Sequence, residues 1–341
     1  MSTKKLPTSR RTFVKGTAAS AAIAPFFIGR SAKADEQHVM KIATVAPDGT
    51  PWIKQAKRME KLVEKNSEGR IKVKMYKGGA MGGELETLKA CKDGRIQCWA
   101  GSAGAVSSVV SSIGALELPY LFNSSKSAFK AMGANRTLLH DILWDNGFKL
   151  VMFAQNGYRE LGLTFEAETP ADLKGRKIRI QESKIYEDLF DAWGASGVSM
   201  GVTEVLSALQ TGVIEGFDNT PLFSTAAGFN SAITHWTVSQ HTFQPGLVVM
   251  SRKGFWDKLP AELQEALSLD SDDIMKIQDR GIRGVESLGP QVMQNLADMG
   301  IKIHKPDLGP WRKVASGVHD KYRKRTTKQG VALLDALKKS M

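Results

Sequence analysis

Between residues 40 and 100 the chain alternates period-two runs with helix-period runs, joined by connections only a few residues long. Met40–Ala46 (MKIATVA) is a short, largely apolar run that reads as a strand. Thr50 stands where a helix cap is needed, with Pro51 in the first helical position, where a missing N–H costs nothing. Apolar residues then recur at Trp52/Ile53, Ala56, Met59 and Leu62/Val63, and Gly69 closes the helix. Ile71, Val73 and Met75 alternate with Lys72, Lys74 and Tyr76, which gives a second strand. A glycine-rich turn, 78–83, leads into a helix over Glu84–Asp93, and Arg95–Ala100 is the third strand. A β-α-β-α-β run with such short links requires a parallel sheet covered by helices on both faces.

The pattern resumes further on. Strands are expected at Phe148–Ala154, Lys177–Ile180, near Glu215–Asp218 and at Gly246–Met250, with helices at Lys184–Trp193 and Thr203–Thr211. Between Pro260 and Met299 the chain is helical but carries Gly281, Gly284 and Gly289-Pro290, which predicts two helices or one kinked one. Ile301–His304 reads as a last short strand and Val331–Leu337 as a last helix. No internal repeat or low-complexity linker divides the chain, so the expectation is two α/β lobes sharing crossover strands.

The 341 residues carry a net charge of +12, which would ordinarily point to nucleic acid. Its distribution argues otherwise. Residues 1–34 hold seven basic side chains and no acid, leaving 40 basic against 35 acidic side chains elsewhere. Ser9-Arg10-Arg11-Thr12-Phe13-Val14-Lys15, then an apolar stretch to Gly29 and Ala32-Lys33-Ala34, form a twin-arginine signal peptide with a cleavage site. The alternative is an uncleaved basic arm. The mature chain is expected to begin near Asp35 and to work in the periplasm. Cys91 and Cys98 could bridge there, but the reading favours two small buried hydrophobes. The six histidines are dispersed, none paired at the spacing of a zinc helix, so no metal is expected.

Two motifs invite functions that their surroundings do not support. Gly78–Gly83 sits where a phosphate loop would, but lacks both the Gly-Lys-Ser/Thr ending and the dinucleotide spacing. It reads as a turn delivering a helix N-terminus that could face an anionic ligand. Gly197-Val198-Ser199-Met200-Gly201 matches the nucleophile elbow of hydrolases, yet a poor strand precedes it and the helix starts late. The informative stretch is 156–221. Arg159 and Arg179 lie beside short apolar segments and Asn219 follows, and two arginines with an amide in one cleft would hold a carboxylate by forked hydrogen bonds.

With KIATVAP, GGAMGGELETLKACKDGRIQ, LELPYLF, ADLKGRKIRIQES and ALQTGVIEGFDNTP, the chain resembles the solute-binding proteins of tripartite ATP-independent periplasmic (TRAP) transporters, the DctP-type family. The resemblance covers nearly all of the mature chain. It implies an α/β, two-lobed periplasmic binding protein fold (type II-like) with crossing hinge strands and a long bridging helix. The lobes would be 35–156 plus 245–284 and 157–244 plus 285–341. It implies a receptor, not an enzyme, that closes on a small organic acid and hands it to membrane permease subunits. Neither a cofactor nor nucleic acid is expected, and the protein is expected to be a monomer. Arg179 would clamp the ligand carboxylate, helped by Asn219, with Arg159, His241, Trp52, Ser102 and Phe217 around it. FDNTP has one residue more between asparagine and proline than the common family form. Trp52, Trp99, Trp193 and Phe217 offer aromatic surface, which favours a monocarboxylate with an apolar or aromatic body over dicarboxylates and sugar acids. The competing functions are a binding or sensor protein of another transporter class and a serine hydrolase using Ser199. Replacing Arg10 and Arg11 by lysine is expected to leave the precursor in the cytoplasm, as cell fractionation would show.

Overall fold

The computed structural model describes residues 37–267 and 272–341, so the targeting segment expected at 1–34 lies outside the described residues. The strands are β1 (His38–Ala43), β2 (Ile71–Tyr76), β3 (Cys98–Ser102), β4 (Phe148–Leu163), β5 (Lys177–Ile180), β6 (Ser196–Ser199), β7 (Gly216–Asn219), β8 (His235–Ser251) and β9 (Lys302–His304). They form one sheet in the order β2-β1-β3-β8-β4-β7-β5-β6, with β9 added to β8. β1 runs parallel to both β2 and β3, as the opening β-α-β-α-β pattern requires. In the other half, β5 is parallel to β6 and β7. The fold is therefore α/β with two sheet halves.

The opening helix, Pro51–Asn66, forms as its sequence dictates. Thr50 Oγ1 accepts the Ile53 N–H at 3.3 Å, and Trp52, Ile53, Ala56, Met59 and Val63 are buried along one stripe. Cys91 and Cys98 are both free and buried, the arrangement favoured above.

β4 and β8 join the halves, and both are far longer than their apolar runs. Each was expected to span 148–154 or 246–250, but β4 has 16 residues and β8 has 17. The polar segments Gln155-Asn156-Gly157 and Ser239-Gln240-His241-Thr242 break the period-two pattern, yet the two strands pair antiparallel through them. Register shifts at Leu150/Met152, Gln155/Tyr158 and Arg159/Leu161 bend this ribbon so that it serves both halves.

Gly281, Gly284 and Gly289-Pro290 do not divide the 260–299 region into two helices. A short helix, Ala261–Ala266, is followed by an unbroken 27-residue helix, Asp272–Asp298, that runs through Gly281, Gly284 and Pro290. Its buried stripe of Ile274, Ile277, Gln278, Gly281, Val285, Val292 and Leu296 packs on helix Pro51–Asn66 and β4 and outweighs the local cost of glycine. Pro290 lies on the exposed side, where water can serve the carbonyl it leaves free. Gly281 has a packing reason: a Cβ there would come within 2.5 Å of Gln55 Oε1. Gln55 Nε2 donates to the Phe153 carbonyl at 3.1 Å and Gln278 Oε1 accepts the Phe153 N–H at 3.0 Å. Two glutamines thus satisfy the edge of β4 at Phe153 that faces away from β8, where β7 does not reach. Helices at Ala103–Ser107, Ser125–Ala134, Arg136–Asp145, Leu308–Ala315 and Gly317–Arg325 were not anticipated. No helix among the described residues is long and apolar enough to cross a membrane. Gln278→Leu should strand the Phe153 N–H and cost about 1–3 kcal/mol in urea denaturation.

Candidate functional site

Where the two sheet halves face each other, the carboxyl ends of four strands converge. Thr44, Val45 and Ala46 follow β1, Ser102 ends β3, Gln181 follows β5 and Asn219 ends β7. These residues line one small cavity of about 20 Å³ together with Trp52, Glu84, Asn156, Arg159, Arg179, Phe223 and Gln244. Open α/β sheets place ligands at just such carboxyl ends. Of the residues expected from the sequence, Arg179, Asn219, Arg159, Trp52 and Ser102 are brought together here.

The two arginines have different surroundings. Arg159 has a carboxylate partner at close range: Nε donates to Asp218 Oδ2 at 2.6 Å, Nη2 to the Asp218 carbonyl at 2.7 Å and Nη1 to Gln181 Oε1 at 2.9 Å. Its guanidinium also lies 4.7 Å from the centre of the Tyr186 ring. Burial opposes its charge, but Asp218 more than offsets this and holds it protonated. Burial works against the charge of Asp218 as well, and Arg159 and His241 overcome it, so its carboxyl stays well below the usual range. Arg179 instead donates to neutral oxygens, from Nε and Nη2 to the Met200 carbonyl at 3.1 and 3.0 Å, and from Nη1 to the Asp218 carbonyl at 3.5 Å. Its carboxylate partner Asp218 Oδ1 is 4.0 Å away. Burial lowers the Arg179 guanidinium to about 10, with Asp218 opposing and Arg159 adding to the fall. It is therefore cationic at neutral pH and only partly compensated. Asn219 Oδ1 accepts the Thr220 N–H at 2.8 Å, which leaves its amide NH2 for the cavity.

Glycine makes room for two wall residues. A Cβ on Gly246 would come within 1.9 Å of the Trp52 ring, and one on Gly101 within 2.6 Å of Glu84 Oε1. Both glycines belong to the paired strands β3 and β8, so the sheet surface itself forms the floor under Trp52 and Glu84.

Two expected residues are not in the wall. Phe217 is fully buried against Phe229 and Trp236, with ring centroids 5.2 and 6.1 Å away, because its side of β7 faces an apolar cluster. Phe223, from the following helix, lines the cavity instead. His241 is also fully buried, behind Asp218: Nδ1 is 2.9 Å from Ser239 Oγ and Nε2 is 3.7 Å from Asp218 Oδ2. Burial lowers its pKa, so it is a neutral support for Asp218. Of the other aromatics, Trp99 donates Nε1–H to the Glu84 carbonyl and Trp193 stacks edge-on with His241 and Trp311. Neither reaches the cavity, so the aromatic surface expected of the ligand site reduces to Trp52 and Phe223.

Glu84, Gln181, Asn156, Thr44 and Gln244 were missed. Thr44 and Gln181 lie just beyond strand ends and Glu84 in a first helical turn, a weak signal without the strand order, while Asn156 and Gln244 sit inside the long strands β4 and β8 whose extent the apolar runs did not show. The helix N-terminus after Gly78–Gly83 does have an anion, but it is the chain's own Glu84. Ser199 is exposed at the end of the edge strand β6, while Asp218 is committed to Arg159, so the nucleophile-elbow pattern does not assemble a triad.

Behind Arg159, Tyr186 donates its O–H to Glu117 Oε2 at 2.6 Å. Burial pushes the Glu117 carboxyl up from about 4.5 to about 7, against the pull of Arg159. The protonated form is thus favoured in the folded state, and its stabilisation is complete below pH 4.5 and lost as pH rises through 7. Glu117→Gln should remove about 3 kcal/mol of the fall in stability between those limits, measured by urea denaturation at a series of pH values.

The model of bacterial extracellular solute-binding protein family 7 matches residues 42–325. The C4-dicarboxylate-binding periplasmic protein DctP of Rhodobacter capsulatus is 30% identical over 310 residues, 88% of this chain and 91% of its own length. A TRAP periplasmic solute-binding protein from Citrobacter koseri, solved with D-glucuronate, is similar at a TM-score of 0.82 and 26% identity, covering 88% of this chain and 99% of its own. One from Pseudomonas putida F1, also with D-glucuronate, matches at a TM-score of 0.80 and 26% identity, over 86% of this chain and 96% of its own.

Proposed function

This chain belongs to the bacterial extracellular solute-binding proteins of family 7, the solute receptors of TRAP transporters, and from that premise we propose that it captures its organic acid through Arg179. The partly compensated charge of Arg179 in the cavity carries this assignment. Arg159 already has Asp218, whereas the nearest partners of Arg179 are carbonyls that a ligand carboxylate would outcompete. Asn219 adds a neutral donor, and Arg159 acts from behind as framework. Among the similar proteins, one is named for C4-dicarboxylates and two were solved with D-glucuronate, so both acid classes are candidates here.

A cavity of about 20 Å³ holds about one water molecule, so the two halves must part to admit an organic acid. We place the hinge where β4 and β8 cross, with lobes 35–156 plus 245–284 and 157–244 plus 285–341. The support is the register shift between Gln155 and Tyr158, opposite Phe243–Pro245. Ligand contacts to both halves favour the closed form, the one presented to the permease. The protein reaches the periplasm by the twin-arginine route, on the strength of residues 9–34.

Arg179→Ala should weaken binding of the physiological acid by about 2–5 kcal/mol in calorimetric titration, with the fold intact by circular dichroism. Arg179→Lys should also lose much of it, because an ammonium cannot supply the planar fork. Asn219→Ala should cost about 1–3 kcal/mol. Near-native affinity in a folded Arg179→Ala protein would remove the carboxylate clamp.

A further inference from the structure

The cavity wall around Arg179 combines hydrogen-bonding groups with the apolar side chains of Val45, Ala46, Trp52, Val202 and Phe223. Glu84 is held with one donor on each carboxylate oxygen: Ser102 N–H to Oε1 at 2.8 Å and Ser102 O–H to Oε2 at 2.9 Å. Ser102 Oγ is itself fixed by the Gln181 amide at 2.5 Å. A carboxylate has about four acceptor positions, so Glu84 retains capacity on the cavity side. Gln244 is 5% exposed and lines the same cavity, yet its Oε1 has no partner. Thr44 and Asn156 complete a polar rim, against which Trp52 and Phe223 are the aromatic surfaces.

We propose that Glu84, with Gln244, makes this receptor select hydroxylated monocarboxylates and reject dicarboxylates. The inference rests on the carboxylate clamp at Arg179 proposed above. With one ligand carboxylate on Arg179, a second one would be pressed against Glu84 in a cleft that closure shields from water, and like charges there are costly. A hydroxyl group instead donates to Glu84 and fills its open acceptor positions. The unpartnered Gln244 oxygen works in the same direction, because a buried acceptor left without a donor penalises any ligand that brings only methylenes. This reverses the sequence-based preference for an apolar or aromatic body. The aromatics that motivated it are mostly core, and the positions that reach the cavity are mostly polar.

Six-carbon acids separate these terms: D-gluconate and D-glucuronate are hydroxylated monocarboxylates, adipate is a dicarboxylate and hexanoate has neither feature. In calorimetric titration of the wild-type protein, at least one hydroxylated acid should bind about 100-fold or more tighter than adipate and hexanoate. Glu84→Gln should narrow the ratio of that acid to adipate about tenfold or more, since the amide no longer repels a carboxylate. Gln244→Leu should narrow its ratio to hexanoate, and it serves as the second variant if Glu84→Gln does not fold by circular dichroism. Tightest binding by adipate or hexanoate, or ratios unchanged in both folded variants, overturns the proposal. Arg179→Ala tells the two levels apart. If it abolishes binding of every acid while the Glu84→Gln ratio is unchanged, the clamp stands and the selectivity role falls. If the wild-type protein binds none of the four, or Arg179→Ala binds them as well as wild type, the clamp itself fails.

Discussion

The site is built around a buried ion pair. Arg159 on β4 and Asp218 on β7 meet at 2.6 Å, with side chains 1% and 0% exposed. Taking two charges out of water is expensive, and such a pair is tolerated only when their remaining donors and acceptors are well served. Here Gln181, the Asp218 carbonyl and the Tyr186 ring supply part of that service, with the His241 ring 3.7 Å from the carboxylate. One acceptor, Asp218 Oδ1, has no hydrogen-bond partner and lies 4.0 Å from Arg179. The pair therefore fixes β4 against β7 and at the same time leaves Arg179 with a residual charge. That residual charge is what the proposed carboxylate clamp rests on.

The ribbon of β4 and β8 gives this site its mechanical setting. Its bulges fall around residues 150–161, within a few residues of Arg159, so a change of angle between the sheet halves would be felt at the clamp. Contacts already reach across the cavity at Gln181–Ser102, Ser107–Ser183 and Ser108–Glu182. They are hydroxyl and amide contacts that water can replace, which suits the hinge opening proposed above. Beneath the ribbon, the 27-residue helix packs along β4 and supplies Gln278 to its backbone.

Much of this was legible in the residues. The first three strands and their two helices were readable because each is short and sharply punctuated by Thr50-Pro51 or glycine. Arg179 and Asn219 were readable because they flank apolar strands in an arrangement that makes sense for a carboxylate. The full length of β4 and β8 was not, since their middles carry polar residues such as Arg159 and Gln155, whose partners lie 59 and 127 positions away in sequence. Phe217 and His241 looked equally suited to a pocket, and only strand pairing decided that one faces a core cluster and the other stands behind Asp218. Glu84 looked like an ordinary acid in a first helical turn.

The sequence by itself determined the class of fold, through the alternation of periods two and 3.6. It also supplied the residue types at 159, 179 and 219 on which the proposed carboxylate site rests. Tertiary structure decided which arginine is neutralised and which is available, because that depends on where Asp218 lands relative to each guanidinium. It likewise decided that Glu84, Gln244, Thr44 and Asn156 line the cavity, because the side of a strand or helix facing the cleft follows from sheet order and register. Local patterns record which residues are apolar. They do not record which buried charge is left with the weaker partner, and in this protein that difference between Arg159 and Arg179 makes the site.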